Sequence, residues 1–229
     1  MRSRLAAPIA ALAALALTQP QPSQAQGRII DEGTFAVTRA GVVHTENFRI
    51  VRIENGLVRA TGQLVSPTQR ISSSLTVDSL GTPVQYDVSV TDKGAKATSK
   101  VSAVAGAGRL RATSNTPAGD ESMREYALTV GHSLLVDDVL VHELFFVVFG
   151  HHPGSVQLID PRGGHAVAGT LAGMGLEPVE IGGKSVTATH YSLVSGGVRR
   201  DFWVDASGRM LRVEIPSMQL VATREEAPK

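Results

Sequence analysis

Cysteine is absent from all 229 residues of this chain, which excludes disulfides and thiolate chemistry. Aromatic residues make up only 4% of the chain, and no basic cluster alternates with them, which argues against a nucleic-acid-binding surface. The 22 lysine and arginine residues nearly balance the 21 aspartate and glutamate residues. A chain of this length can bury a sufficient hydrophobic core without disulfides.

The first 25 residues have the composition of a signal peptide. Arg2 and Arg4 form a basic region, residues 5–17 form a short apolar region, and residues 23–25 supply the small side chains that signal peptidase requires. We therefore expect cleavage after residue 25 and a periplasmic or extracellular protein, with an uncleaved signal anchor as the alternative. The apolar region is shorter than the roughly 20 residues that span a bilayer. Because Arg2 and Arg4 are two of the 22 basic residues, the mature chain has 20 basic and 21 acidic residues, a net charge of −1.

Most of the remaining chain alternates apolar and polar residues with the period of two that is typical of β-strands. Asn55-Gly56, which lies between two such runs, is a strong hairpin signal. No linker divides the chain, so we predict that residues 26–229 form a single β-rich half-barrel domain with one buried face and one wet face. The predicted strands are residues 33–39, 43–53, 57–65, 70–78, 84–91, 95–101, 109–113, 124–130, 155–159, 165–171, 177–181, 185–194, 198–204, 210–215 and 218–223.

Residues 137–150 interrupt this pattern. The segment opens with a potential capping aspartate, Asp137, ends at Gly150 and is apolar on almost every side. A helix of this kind must be covered on most of its surface. We therefore predict a mainly β (α+β) fold, in which a single strongly curved antiparallel sheet, a half-barrel, wraps around one central apolar helix at about residues 137–150.

Several short motifs resemble catalytic ones but are incomplete. His142-Glu143 begins the zinc-protease pattern H-E-x-x-H, but Phe146 occupies the position of the second histidine. A zinc site usually needs three or four protein ligands, and adjacent histidines point in different directions in an extended segment. By number alone, the best metal candidates are the following histidines: His142, His151, His152 and His165.

The other partial motifs have structural interpretations. Residues 183–185 match the end of a phosphate-binding loop, but Pro178 stands where its first glycine belongs. Residues 131–133 resemble part of a nucleophile elbow whose closing glycine is missing. Asp138 and His142 are one helical turn apart, and we interpret them as a structural hydrogen-bonded pair. We accordingly predict no catalytic residues, no metal site, no cofactor and no enzymatic activity.

Phe145, Phe146 and Phe149 form an aromatic stripe on the predicted helix. Such a stripe usually belongs to a packed core, but it lines a lipid-sized pocket if the sheet curves away from the helix. If a ligand binds between helix and sheet, we expect its contacts to come chiefly from five side chains of the helix. They are Leu140, Leu144, Phe145, Val148 and Phe149.

Several segments of the chain resemble a group of uncharacterised exported bacterial proteins. They are Gly33-Thr34-Phe35, Gly41-Val42, Glu46-Asn47-Phe48-Arg49-Ile50, Leu134-Leu135-Val136-Asp137-Asp138, Phe202-Trp203-Val204-Asp205 and Gly208-Arg209-Met210-Leu211-Arg212-Val213. That group resembles, more loosely, the lipoprotein-carrier half-barrel superfamily of LolA and LolB. The resemblance implies a curved antiparallel sheet whose concave side is plugged by helix and, in LolA-like proteins, holds acyl chains. It supplies no catalytic residues, and this chain has one clear helix where the carriers have several lid helices.

These observations favour an exported, non-catalytic binding protein that shelters a hydrophobic or lipid-like ligand between a curved sheet and a helix. The alternative is a structural or assembly module that has a filled core and binds a protein partner. A histidine-based hydrolase or metalloenzyme is a weaker third hypothesis. The expected partners are a hydrophobic small molecule or lipid, or a protein, but not nucleic acid, and the mature chain is not expected to span a membrane.

Overall fold

The computed structural model describes residues 27–94, 98–150 and 152–228. The predicted signal peptide, residues 1–25, and one candidate metal ligand, His151, lie outside this part of the chain. The strands are β1 (Arg28–Arg39), β2 (Val42–Arg52), β3 (Val58–Val65), β4 (Gln69–Val77), β5 (Pro83–Asp92), β6 (Thr98–Gly106), β7 (Arg109–Asn115), β8 (Glu121–Ala127), β9 (Ser133–Leu135), β10 (Gly154–Asp160), β11 (His165–Ile181), β12 (Lys184–Ser195), β13 (Val198–Val204), β14 (Met210–Ile215) and β15 (Leu220–Arg224).

All fifteen strands belong to one sheet, with the order β8-β7-β6-β5-β4-β3-β2-β1-β15-β14-β13-β12-β11-β10-β9. Neighbouring strands are antiparallel except β9 and β10, which are parallel over three residues. The sheet is not closed into a barrel, because β8 and β9 stand at opposite ends of this order and do not pair with each other. The prediction of a mainly β fold built on one large, mostly antiparallel sheet is therefore confirmed.

Turn chemistry explains why most hairpins lie where the sequence predicts them. Asn55 and Gly56 both have positive φ angles, 64° and 77°, between β2 and β3. Few residues other than asparagine and glycine adopt this conformation readily.

Two predicted strands, residues 165–171 and 177–181, are joined into the single long strand β11, and the short strand β9 was not predicted.

The core lies on one face of the sheet. Buried apolar side chains from strands in both halves of the sheet order pack into one continuous cluster, together with residues from the segment between β9 and β10. The sheet must therefore wrap around this cluster, since a flat sheet could not bring both halves to the same core. A second, smaller cluster contains Val179, Ile181, Ala188, Trp203 and Leu211.

The predicted central helix over residues 137–150 is wrong in its extent. Only a 3₁₀ turn, His142–Leu144, and one α-helical turn, α1 (Phe145–Val148), are helical in this region. Other 3₁₀ turns occur at Glu54–Gly56 and Pro216–Met218. Residues 137–141 are not helical, because the side chains of Asp137 and Asp138 bind groups of the sheet and its turns instead of capping a long helix. We call residues 136–149 the plug, since they pack into the core from outside the strand ladder.

Candidate functional site

The predicted ligand contacts all lie in the plug, and they differ in exposure. Leu140, Leu144 and Phe145 are buried in the main core, with 0%, 1% and 3% of their surface exposed. Val148 and Phe149 are only partly buried, and both pack against the same core. The C-terminal end of the plug is therefore the part of this set that is closest to solvent.

The aromatic residues of the plug contact one another. The rings of Phe145 and Phe149 stack with centroids 5.5 Å apart, and Phe146 meets both of them edge to face, at 5.4 and 6.0 Å. These distances are typical of favourable aromatic pairs. The stripe predicted from the sequence is thus one aromatic cluster within the core.

Glu46 of β2 attaches the plug to the sheet. Its carboxylate accepts hydrogen bonds from the backbone N–H groups of Val141, at 2.9 Å, and His142, at 2.7 Å. The Nδ1 atom of His142 lies 2.7 Å from the same carboxylate, and both side chains are fully buried. One buried carboxylate therefore satisfies three donors at the start of the 3₁₀ turn, which is the condition under which a buried charge is tolerated.

The imidazole of His142 fits against three strands. A Cβ atom at Gly62 of β3 would overlap the ring, so only glycine leaves room for it. Ser73 Oγ of β4 lies 3.3 Å from Nε2, and Phe48 stacks on the ring with centroids 6.5 Å apart. Because a carboxylate oxygen only accepts, Nδ1 carries the proton donated to Glu46, and the Ser73 hydroxyl donates to Nε2 when the ring is neutral.

Ser73, His142 and Glu46 thus follow the order of a nucleophile, a base and an orienting carboxylate. The ring of His142 is buried, however, and a substrate would reach Nε2 only after displacement of the plug. With the plug packed in the core, these three residues hold it in position. The predicted hydrogen bond between Asp138 and His142 is wrong, because both ring nitrogens have other partners.

Asp138 binds arginines instead. Its carboxylate accepts two hydrogen bonds from Arg200 of β13, at 2.5 and 2.6 Å, and its carbonyl oxygen accepts one from Arg39 of β1, at 2.5 Å. Arg200 also donates to the Ser195 hydroxyl at 2.9 Å. The bidentate geometry fixes the N-terminal end of the plug against β13. In the sheet order, β13 lies on the opposite side of the core from β4 and β5.

Asp137 connects the plug to β5 and to the β10–β11 turn. It accepts hydrogen bonds from the Tyr86 hydroxyl at 3.2 Å and from Arg162 at 2.7 Å. Burial raises the pKa of Asp137, and the charge of Arg162 acts against that rise. Burial also raises the pKa of Tyr86 well above its usual range, and the nearby carboxyl groups of Glu143 and Asp137 contribute to the same shift.

Glu143 is the one carboxyl of the plug whose oxygens, among the described residues, are buried without a hydrogen-bond partner. Burial raises the pKa of Glu143 well above its usual range, and the charges of Asp137 and Glu46 add to the shift. The nearby hydroxyl of Ser73 acts in the opposite direction. Glu143 is therefore expected to be neutral over a pH range in which exposed glutamates are ionised.

A second polar cluster lies beside the small apolar cluster. His190 stacks on Trp203 with ring centroids 4.4 Å apart, and it lies between Glu177, 2.9 Å from Nδ1, and Asp201, 3.2 Å from Nε2. Trp203 Nε1 donates to Glu177 at 3.0 Å. This hydrogen bond is the main reason that the pKa of Glu177 is lowered. These contacts join β11, β12 and β13 and satisfy one another.

The candidate metal ligands do not converge. His142 is held by Glu46, whereas His165 lies beside Asp160 at the turn after β10, with 4.0 Å between Nδ1 and Oδ2. Within residues 27–94, 98–150 and 152–228, no three histidine, aspartate or glutamate side chains are arranged to hold a metal ion.

A shallow groove of about 490 Å³ lies between the end of β8 and strands β10 and β11.

The partners of the plug on the sheet were missed in the sequence analysis, although a signal for them exists. Glu46 falls in phase with the buried Phe48 and Ile50, and Ser73 falls in phase with Ile71 and Leu75. Arg200, likewise, shares the inward face of β13 with Phe202 and Val204. A polar side chain on the apolar face of a strand needs a buried partner. That requirement marks these positions, but it does not identify the partner.

Together, the open fifteen-stranded sheet and the plug fixed to it by buried polar contacts define a β-barrel-like class of protein with a filled concave side. The chain belongs to the family described as "Domain of unknown function (DUF6134)", whose profile matches residues 82–221. Among curated proteins there is no significant match.

One solved structure with a similar fold is the beta-barrel-like protein of domain of unknown function DUF1849 from Brucella abortus. Its TM-score is 0.54 at 9% sequence identity, and the alignment covers 85% of this chain and 95% of that chain. At this identity the similarity shows the fold alone.

In the described part of the chain, no helix has the length and apolar character needed to cross a membrane.

Proposed function

We propose that this chain is an exported, non-catalytic binding protein that shelters a hydrophobic or lipid-like molecule between the sheet and the plug. The ligand contacts in this proposal are Leu140, Leu144, Phe145, Val148 and Phe149. Export rests on the composition of residues 1–25, and the site rests on the apolar concave side into which the plug packs.

The observation that carries the proposal is how the plug is attached. Val136, the first residue of the plug, donates its N–H to the carbonyl oxygen of Ile159 in β10. Among the described residues, the backbone of residues 137–148 forms no hydrogen bond with the backbone of a strand; its bonds are internal or go to the side chains of Glu46 and Arg39. A segment held by side chains can separate from the sheet without breaking a strand ladder. Apolar surface of the sheet would then become available to a ligand.

Val148 and Phe149 offer the starting point for such an exchange, because they are the least buried of the five contact residues. A hydrophobic ligand that replaces their contacts would keep the apolar surface of the sheet covered. The expected affinity depends on how closely the ligand contacts match the plug contacts that are lost.

The second candidate function is a module with a filled core that binds a protein partner. It is favoured by the near-complete burial of Leu140, Leu144 and Phe145, which leaves the concave side occupied by the chain itself. The groove beside β8 would then be one place for a partner. The two candidates differ in whether a small apolar molecule enters the core.

Binding of the neutral dye Nile red to the exported protein, followed by fluorescence, tests the proposal. We expect saturable uptake of about one dye molecule per chain. Val148→Asp should weaken this uptake by about tenfold or more, because it places a charge at the proposed entrance. The matched control is Val194→Asp on β12, where the native valine is already exposed. The proposal fails if wild-type protein takes up no dye or if both variants bind it as wild type does.

A further inference from the structure

Glu143 differs from the other acidic side chains around the plug because no hydrogen-bond donor would compensate its negative charge if it were ionised. Glu46 accepts three donors, and Asp137 is paired with Tyr86 and Arg162. The two carboxyl oxygens of Glu143 are buried, and among the described residues they have no hydrogen-bond partner. An ionised carboxylate in such a place is strongly unfavourable, whereas a protonated one is tolerated far better.

The groups that face Glu143 come from five parts of the chain. Asp137 of the plug and Glu46 of β2 place negative charge nearby, and Arg162 of the β10–β11 turn places positive charge there. Ser73 of β4 and Tyr86 of β5 are the neutral polar neighbours. Arg162 is already engaged by Asp137, so it does not neutralise Glu143 directly.

We propose that Glu143 is a proton-controlled latch that holds the plug in the core when it is protonated and releases the plug when it is ionised. The loss of the proton creates a buried negative charge beside two other carboxylates. Glu143 and the residues that follow it, up to Phe149, then separate from the sheet, and the Glu143 carboxylate reaches water. This regulation rests on the proposed function, since it decides when the concave side becomes available to a ligand.

The pH direction follows from the environment of the carboxyl. Burial, above all, raises the pKa of Glu143 in the folded protein above its ordinary value of 4.5. The stabilisation from the protonated group is therefore fully present below that ordinary value and is lost as the pH rises through the folded-state pKa. The plug should loosen at higher pH. The pKa of Asp137 is raised as well, so a variant of Glu143 is needed to separate the two groups.

Hydrogen exchange of the backbone amides, measured by mass spectrometry on the exported protein, tests the latch. The protection of residues 140–149 is compared with that of β1 and β2 after correction for intrinsic exchange, from about pH 5 to about pH 9. We expect the protection of the plug in wild-type protein to fall by about tenfold or more over this range. Glu143→Gln should remove most of that fall. Glu121→Gln, at an exposed position of β8, should behave as wild type.

Glu143→Met provides a second neutral variant if the glutamine variant does not fold. The latch is overturned if either folded variant retains the pH dependence of wild type, or if wild type shows none. Nile red uptake is measured on the same samples. Loosening at high pH without dye uptake supports the latch and contradicts the proposed function. Dye uptake with the same pH profile in wild type and Glu143→Gln contradicts the latch and supports the proposed function.

Discussion

At the scale of single residues, His142 shows how closely the plug is fitted to the sheet. Its two ring nitrogens contact Glu46 and Ser73, its backbone N–H also binds Glu46, and Gly62 leaves the space that the ring occupies. Each contact comes from a different strand, β2, β4 and β3 respectively. The position of one histidine therefore fixes the plug against three neighbouring strands.

Gly62→Ala should destabilise the protein by about 1–3 kcal/mol, because the new methyl group overlaps the His142 ring and forces it or the strand to move. Chemical denaturation measures the change in the free energy of unfolding. In a His142→Ala background the same substitution should cost much less, since the overlapping ring is gone.

The matched control for this substitution is Gly106→Ala on β6, where nothing lies near the added Cβ atom. Removing a glycine from a strand at an open position should be neutral or stabilising by up to about 1 kcal/mol. Equal effects of the two alanine substitutions would show that the ring does not occupy the space beside Gly62.

Sequence reasoning reached only half of this site. The period of two over residues 70–78 puts Ser73 on the same face of its strand as Ile71 and Leu75, which are buried. Its contact with His142 was not predictable, because 69 residues separate them and periodicity carries no information about which strands meet. Glu46 was missed for the same reason, since its partners lie 95 and 96 positions away.

At the scale of elements, the strands were largely predictable and the plug was not. Alternation and turn residues locate hairpins locally, as Asn55 and Gly56 show. The plug has the composition of a buried helix, but only Phe145–Val148 forms an α-helical turn. Branched side chains such as Val147 and Val148 favour helix less than unbranched ones. The polar contacts of Asp137 and Asp138 with the sheet outweigh the hydrogen bonds that a longer helix would gain.

Within α1, burial should decide how severe a charged substitution is. Phe145→Asp places an unpaired charge in the core and should lower the free energy of unfolding by more than about 4 kcal/mol, or prevent folding. Val148→Asp, three residues later and only half-buried, should cost markedly less, because its carboxylate can turn to solvent. Thermal and chemical denaturation measure both. If Phe145→Asp is as stable as Val148→Asp, the plug does not lie in the core as described.

At the scale of the whole molecule, the described residues form an open sheet with one main core, a smaller second cluster and two edge strands, β8 and β9. The similar beta-barrel-like structure from Brucella abortus supports this architecture and says nothing about a ligand. The structure neither confirms nor contradicts the resemblance to LolA-like proteins, and the binding role is our proposal. In this chain, residues of the plug occupy the core that the sheet encloses.

Native mass spectrometry of the purified protein, followed by solvent extraction of bound molecules, tests the central claim most directly. We predict a fraction of the protein with added mass that matches an extractable apolar molecule, and we predict that Val148→Asp reduces that fraction while Val194→Asp does not. A mass equal to that of the bare chain, with no extractable molecule from wild-type protein, would contradict ligand binding and favour the module with a filled core.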